Sequence, residues 1–170
     1  MGIEHVSVVL GVKCLFLLGM TLWFTLVVIN NMTDPGTNLH LIGQMMRMDL
    51  LKGDPQMGNG IEWRAVNSPA VHKAVFVLVI FFQLLAVTLL WKAVIEFAMA
   101  SGKPVSSDLV LHAISSANIG LGVLLAKMFW FWCGGMWYGY WMKTPQVQQV
   151  HMTLLVMLML EFLIINTSVA

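Results

Sequence analysis

Four long apolar runs constrain the fold of this chain more than any other feature of its sequence. They cover about 6–30, 73–98, 109–132 and 147–166, and a helix needs about 20 mainly apolar residues to cross the hydrocarbon core of a bilayer. The pattern predicts an all-α fold, a polytopic membrane four-helix bundle that forms a single integral membrane domain over 1–170.

The composition supports a membrane protein and excludes a nucleic-acid-binding one. Hydrophobic residues make up 59% of the 170 residues, against roughly half in soluble domains. Nine Lys and Arg against eight Asp and Glu give a net charge of +1, so no basic surface is available for a nucleic acid. The first run is longer than the about 7–15 apolar residues of a signal peptide, and we interpret it as a retained helix.

The connection over 31–72 is the one segment between runs with room for structure outside the membrane. It opens with Asp34-Pro35-Gly36, a turn signal. In 37–51, Leu41, Met45 and Met48, and then Leu51, recur at helical spacing. We predict a short amphipathic helix there that lies at the membrane interface.

Small residues follow one face of the third run. They recur at i, i+3, i+4 and i+7 and are Ala113, Ser116, Ala117 and Gly120. Small side chains in this register let two helices approach closely. The face is open to two interpretations, packing inside the bundle or docking on another subunit.

Aromatic residues mark the end of the third run. Trp130, Trp132, Trp137 and Trp141 lie where Trp usually anchors a helix at the headgroup layer. Between them, the pair Gly134-Gly135 is predicted to end the helix.

Several ionisable residues fall at membrane depth, where such residues are functional candidates. Lys13 and Lys127 are close enough to the ends of their runs for the side chains to reach polar layers. Lys92 and Glu96 are spaced as an i, i+4 ion pair. Glu161 lies deep in the fourth run, and it must be protonated, paired with a cation or directed at a partner protein.

The sequence gives little support for a cofactor or a metal. The five histidines are His5, His40, His72, His112 and His151. The last three begin apolar runs and are expected to meet water or headgroups, which disfavours a haem.

Met45, Met46 and Met48 with His40 are soft ligands for Cu(I), yet packing explains the methionines as well. Cys14 and Cys133 form no CxxC motif. We find no catalytic motif and predict neither an enzyme nor a bound cofactor.

Motifs in the connection and at the end of the third run resemble a bacterial family of predicted small integral membrane proteins of unassigned function. They are Asn31-x-Thr33-Asp34 with Asn38, Met48-Asp49, Ile61-x-Trp63-Arg64, and Phe131-Trp132-x-Gly134-Gly135-x-Trp137-x-x-x-Trp141.

The resemblance implies four membrane helices and a structured first connection, in which Asp34, Asn38, Asp49, Trp63 and Arg64 would fold against the bundle through an Asp–Arg pair. It also implies carboxylates where this chain has Gln83 and Met136.

The leading functional hypothesis is a non-catalytic accessory subunit. It would pack against larger integral membrane protein subunits of a bioenergetic or membrane-oxidase assembly, surrounded by membrane lipids, in the bacterial inner (cytoplasmic) membrane. The alternatives are a quinone- or haem-binding membrane anchor of an oxidoreductase and a small subunit of a transporter. Counting Lys and Arg places the connection in the cytoplasm.

Overall fold

A computed structural model of the chain describes residues 3–101 and 107–168. Over these ranges the chain forms five α-helices: α1 (Ile3–Thr33), α2 (Pro35–Met46), α3 (Pro69–Ala100), α4 (Ser107–Trp137) and α5 (Pro145–Asn166). Two short 3₁₀ turns, Glu62–Arg64 and Tyr140–Met142, lie in the connections. The described residues therefore confirm the predicted all-α fold.

Local sequence signals explain where three of the helices begin. Pro35, Pro69 and Pro145 open α2, α3 and α5, the positions where a missing backbone N–H costs nothing and φ is already helical. The Asp34 carboxylate caps α2 by accepting from the backbone N–H of Thr37 at 3.2 Å. Each of these three helices thus begins at a residue that favours a helix start.

The four long helices pack in the order α1, α3, α4, α5, and α1 meets α5 more lightly. α2 lies against α3 at the end of the bundle that holds the long connection. The core consists of large apolar side chains, with Leu17, Phe24, Leu90, Phe97, Leu121, Leu124, Leu158 and Ile165 among the most buried.

Polar side chains join each neighbouring pair of long helices. The bonds are Trp91 Nε1 to Thr25 Oγ1 at 3.1 Å (α3 to α1), Lys92 Nζ to Ser116 Oγ at 3.0 Å (α3 to α4), and a reciprocal pair between the Asn118 and Asn166 amides at 2.9 and 2.7 Å (α4 and α5). In an apolar surrounding such bonds fix which faces meet.

Two predicted helix ends are wrong. α4 runs through Gly134 and Gly135 to Trp137, and the turn comes at Gly139, which has a φ of 63°. α2 ends at Met46, whereas Met48, with a φ of 56°, and Leu51 are buried in the following turn. Their apolar spacing reflects burial under the bundle and not a helical face.

The outer surface of the bundle is apolar along its length. Val8, Leu15, Leu111, Ile119 and Leu163 are each more than half exposed. α1, α3, α4 and α5 are long and apolar enough to cross a membrane, and lipid is the surrounding in which such a surface is stable. The structure is that of a multi-pass membrane bundle.

Candidate functional site

A cavity of about 350 Å³ lies at the end of the bundle that carries the long connection. We call it the connection-side cavity. α2 forms one side of it, and α1, α3, α4, α5 and the 3₁₀ turn at Tyr140 form the others. Its volume is within the range of about 300–1,000 Å³ typical of small-molecule sites.

The lining combines apolar walls with neutral polar groups. The aromatic and aliphatic members include Leu41, Ile42, Met45, Val75, Phe76, Val79, Trp130, Phe131 and Val147. The polar members are Asn31, Asn38, Gln44, Gln83, Tyr138, Tyr140, Thr144 and His151. Among the described residues that line it there is no Asp, Glu, Lys or Arg.

One polar pair joins α1 and α3 at the cavity wall. The Asn31 amide nitrogen donates to Gln83 Oε1 at 2.7 Å. Gln83 is almost fully buried, at 2% exposed, and its own amide nitrogen makes no hydrogen bond with a described residue. That N–H group is therefore free for a molecule in the cavity.

A second polar pair lines the cavity, between the turn at Tyr140 and α5. The Tyr140 hydroxyl and His151 Nδ1 are 3.0 Å apart. Burial raises the pKa of the Tyr140 phenol, so the hydroxyl keeps its proton. The Tyr140 ring rests directly on Gly135, where a Cβ would overlap Cε1 of the ring.

The connection docks on the end of α4 through Arg64. Its guanidinium lies 4.5 Å from the Trp137 ring centroid and 5.4 Å from that of Trp63. It also donates to the Trp137 carbonyl at 3.1 Å. Trp63 and Arg64 thus take part in the predicted folding of the connection against the bundle. The contact is made by the Arg64 guanidinium, which stacks on the Trp137 ring.

The acidic residues of the connection pair elsewhere than predicted. Asp49 pairs with Arg47 at 2.6 Å and not with Arg64, because Arg47 is two residues away in the same turn. The hydrogen bond from Arg47 lowers the pKa of Asp49. Asp34 caps α2, and the Asn38 amide donates to the Asp34 carbonyl at 3.4 Å.

A further ion pair joins the long connection to the connection between α4 and α5. Lys143 Nζ binds the carboxylate of Asp54, and this hydrogen bond lowers the pKa of Asp54. Asp54 also accepts from the backbone N–H groups of Gln56 and Met57, at 2.8 and 2.9 Å. The pair therefore holds the two connections together.

The small-residue face of α4 is buried inside the chain. Ala113, Ser116, Ala117 and Gly120 are among the buried residues of α4, which packs on α3 and α5. A Cβ on Gly120 would lie 2.9 Å from Leu90 Cδ2. Internal packing is the interpretation that the structure favours, and the face is not open to a partner.

The predicted interfacial tryptophans have separate positions. Trp130 lines the connection-side cavity, and Trp137 stacks with Arg64. Trp132 and Trp141 line a shallow groove on the outside of α4 and α5. Met136, where the resemblance implies a carboxylate, is 49% exposed in the same groove.

Two of the lysines at membrane depth are buried within the bundle. Lys13 is 2% exposed and donates to the carbonyls of Ile165 and Thr167, at 3.0 and 2.5 Å. Lys127 is 4% exposed and lies 4.8 Å from the Phe131 ring and 5.7 Å from the Phe24 ring. Helix-end carbonyls and aromatic faces replace water around them.

The other charged residues at depth divide between a pair and a buried acid. Lys92 and Glu96 form the predicted ion pair at 3.4 Å. Glu161 is 5% exposed, and its Oε1 has no hydrogen-bond partner among the described residues. It pairs with no described cation.

The histidines expected at the membrane surface are placed differently. His72 is 3% exposed, with Nε2 2.8 Å from the Val66 carbonyl, and His151 lines the cavity. Their positions at the starts of helices lie under the connection, which explains the error. His112 and His40 are exposed.

The possible metal ligands stay apart. Within 3–101 and 107–168 no three His, Cys, Asp or Glu side chains come together as a metal site would require. Met46 and Met48 are buried in the core of the connection.

The sequence did not single out the cavity pairs as a site. Asn31, Gln83, Tyr140 and His151 come from four parts of the chain, and no spacing links them. Gln83 offered one signal, a buried amide within an apolar run, because a buried polar group needs a partner.

A family model described as predicted small integral membrane protein (DUF2165) matches residues 9–168 of the chain. A search of curated proteins found no match, and neither did a search of solved structures.

Proposed function

The chain belongs to this family of predicted small integral membrane proteins, and from that premise we propose that it binds a small lipophilic molecule in the connection-side cavity. The observation that carries the proposal is the lining, in which apolar walls surround two pairs of neutral hydrogen-bonding side chains, Asn31 with Gln83 and Tyr140 with His151. Small-molecule sites combine these features. The proposal is one of binding without catalysis.

The charge of the lining supports a neutral ligand. A phosphate headgroup is usually held by Arg or Lys, and the described lining contains neither. Lys127 is buried one turn below Phe131 and faces aromatic rings. An uncharged polar head with an apolar body suits these walls best.

Gly134 offers a direct test, because it lines the cavity and a Cβ there would meet nothing within 4 Å. Gly134→Leu should therefore place apolar atoms in the cavity with room for its Cβ. We expect the purified wild-type protein, after lipid extraction, to release a neutral lipophile that mass spectrometry detects in a stoichiometric amount. The Gly134→Leu protein should release much less.

Gly122→Leu is the matched control. Gly122 lies on the same helix, is exposed, and also has no atom within 4 Å of a Cβ. Its lipid content should equal that of the wild type. Equal content in all three proteins would refute the proposal.

The accessory-subunit hypothesis is compatible with ligand binding and stays a proposal. In it, this bundle would pack against larger membrane subunits in the bacterial inner membrane as a non-catalytic subunit. Since the small-residue face is used inside the chain, a partner would need another surface. The transporter hypothesis has no observation in its favour here.

A further inference from the structure

The connection-side cavity presents hydrogen-bond donors from two separate parts of its lining, α3 and the Tyr140 turn with α5, and this restricts the head of the ligand. We propose that the ligand is a membrane quinone in its oxidised form, with one ring carbonyl accepting from Gln83 and the other from the Tyr140–His151 pair. The inference rests on the proposed function of the cavity as a binding site.

The first donor is the amide nitrogen of Gln83. Its carbonyl oxygen already accepts from Asn31 at 2.7 Å, which orients the amide with the N–H₂ group left over. Gln83 lines the cavity, and a carbonyl oxygen bound there would accept from this N–H₂ group.

The second donor comes from the hydrogen bond between the Tyr140 hydroxyl and a neutral His151 imidazole. Either group can be the donor in that bond. If the Tyr140 hydroxyl donates to Nδ1, then Nε2 carries the ring proton and is a free donor. If Nδ1–H donates to the hydroxyl oxygen, then the hydroxyl proton is free. Either arrangement leaves one donor on this wall.

The remaining walls suit a flat ring with an apolar tail. Phe76, Trp130 and Phe131 line the cavity, and aromatic faces pack well against a conjugated ring. Leu41, Met45 and Val147 complete an apolar surface for ring substituents and tail. A fatty acid or a phospholipid would bring a negative charge that nothing in the described lining neutralises.

Binding of a benzoquinone with a ten-carbon tail tests the inference. The protein is reconstituted in lipid nanodiscs, and quenching of tryptophan fluorescence is recorded against a Trp130→Phe protein as baseline. Gln83→Met and Tyr140→Phe each remove a donor or its partner at nearly constant volume. Because a hydrogen bond contributes about 0.5–1.5 kcal/mol, each should weaken binding by about two- to tenfold.

Two comparisons separate recognition from structural damage. Gln148→Met changes another buried glutamine, 8% exposed and outside this cavity, and should bind the quinone as the wild type does. The wild type should also bind the oxidised form more tightly than the reduced form, because the hydroxyl protons of the reduced form would face the donors of the cavity. Gln83→Met should reduce this preference. A variant that is merely less well folded would bind both forms less, and the ratio of the two affinities would not change.

The outcomes distinguish this inference from the proposed function. If the quinone fails to bind while a different neutral lipophile is lost on Gly134→Leu, the quinone assignment is wrong and the cavity remains a binding site. Wild-type quinone affinity in both Gln83→Met and Tyr140→Phe would likewise overturn the assignment. If Gly134→Leu changes neither lipid content nor quinone binding, both proposals fail.

Discussion

At the scale of single residues, the glycines of α4 decide how closely other groups approach. Gly120 faces Leu90, whose Cδ2, Cγ and backbone N would lie 2.9, 3.0 and 3.3 Å from an added Cβ, whereas Gly122 faces open space. Gly120→Ala should destabilise the protein by about 1–3 kcal/mol, as overpacking does. Gly122→Ala should instead stabilise the protein, by up to about 1 kcal/mol, because Ala has the higher helix propensity.

Unfolding in detergent micelles, followed by circular dichroism, measures both variants. Helix propensity alone would make the two substitutions equally favourable, so equal effects would contradict the close approach of α3 and α4 at this point.

Arg64 provides a second prediction at this scale. Its planar guanidinium stacks on Trp137 and bonds to the carbonyl of the same residue, and a lysine cannot reproduce both contacts. Arg64→Lys should lower the free energy that holds the connection against α4 by about 1 kcal/mol. The measurement is limited proteolysis, and cleavage within 52–62 should become faster.

Arg47→Lys is the control for Arg64, because Arg47 makes a partly exposed ion pair with Asp49 and such pairs contribute little. Equal protease resistance in the wild type and Arg64→Lys would count against the stacking contact as the anchor of the connection.

The residue scale also shows what the sequence could reveal. The spacing of Ala113, Ser116, Ala117 and Gly120 predicted close helix packing, and the structure places that packing between α4 and its neighbours in the chain. The contact between Gly135 and Tyr140 had no such signal, because a glycine pair in an apolar run equally well indicates a helix end.

At the scale of helices, Lys13 of α1 holds the last turn of α5. Its ammonium donates to the Ile165 and Thr167 carbonyls, and hydrogen bonds to a charged group contribute about 1.5–3 kcal/mol. Lys13→Met should therefore destabilise the end of α5. Hydrogen exchange of the amides at 163–168 should become faster.

Lys92→Met serves as the comparison for Lys13→Met. The Lys92 side chain is 63% exposed and pairs with Glu96 at the surface of α3, so exchange at 163–168 should stay unchanged. Unaltered exchange in Lys13→Met would mean that the carbonyls find other partners.

The two connections should separate in acid. The pKa of Asp54 is lowered by the hydrogen bond from Lys143, so the pair stabilises the folded connections above the ordinary carboxyl pKa of about 3.9. This contribution is lost as the pH falls through the lower pKa of the folded state. The protection of the amides in 52–62 from hydrogen exchange, relative to their intrinsic rates at each pH, should fall across that window.

Asp54→Asn removes the titrating group. In this variant the protection of the amides in 52–62, relative to their intrinsic exchange rates, should depend less on pH. A wild-type profile that matches that of Asp54→Asn would exclude this pair as the cause.

Helix ends were the least predictable elements. α2, α3 and α5 begin at Pro35, Pro69 and Pro145, whereas the apolar pattern placed the short helix from 37 and the two runs from 73 and 147. The ends of α2 and α4 depend on burial of Met48 and Leu51 and on the docking of Tyr140. Those contacts join distant parts of the chain, and local spacing does not report them.

At the scale of the whole molecule, the charges predict an orientation. Arg47, Lys52, Arg64, Lys73 and Lys143 lie at the end with the long connection, and an excess of Lys and Arg marks cytoplasmic loops. We expect this end in the cytoplasm and both chain ends on the other side. A phosphatase fused after Ala170 should be active in a bacterial host, and a fluorescent protein fused there should stay dark.

The opposite fusion result would reverse the orientation and place the cavity end of the bundle on the outer side. As a control, both reporters inserted after Asn59 in the connection should show the inverse pattern.

The overall architecture followed from four apolar runs because each is long enough to require a spanning helix. The cavity did not follow, since it depends on how α1, α3, α5 and the Tyr140 turn come together around α2. Only that assembly brings its four polar residues, Asn31, Gln83, Tyr140 and His151, to one cavity.

The bond between Lys13 and the end of α5 has a consequence for biogenesis. A ribosome makes Lys13 more than 150 residues before Thr167, the separation along the chain being 154. During synthesis the Lys13 ammonium lacks these acceptors until α5 has been made, and an unpaired charge in lipid is costly. We therefore expect α1 to reach its final packing only after α5 has been inserted.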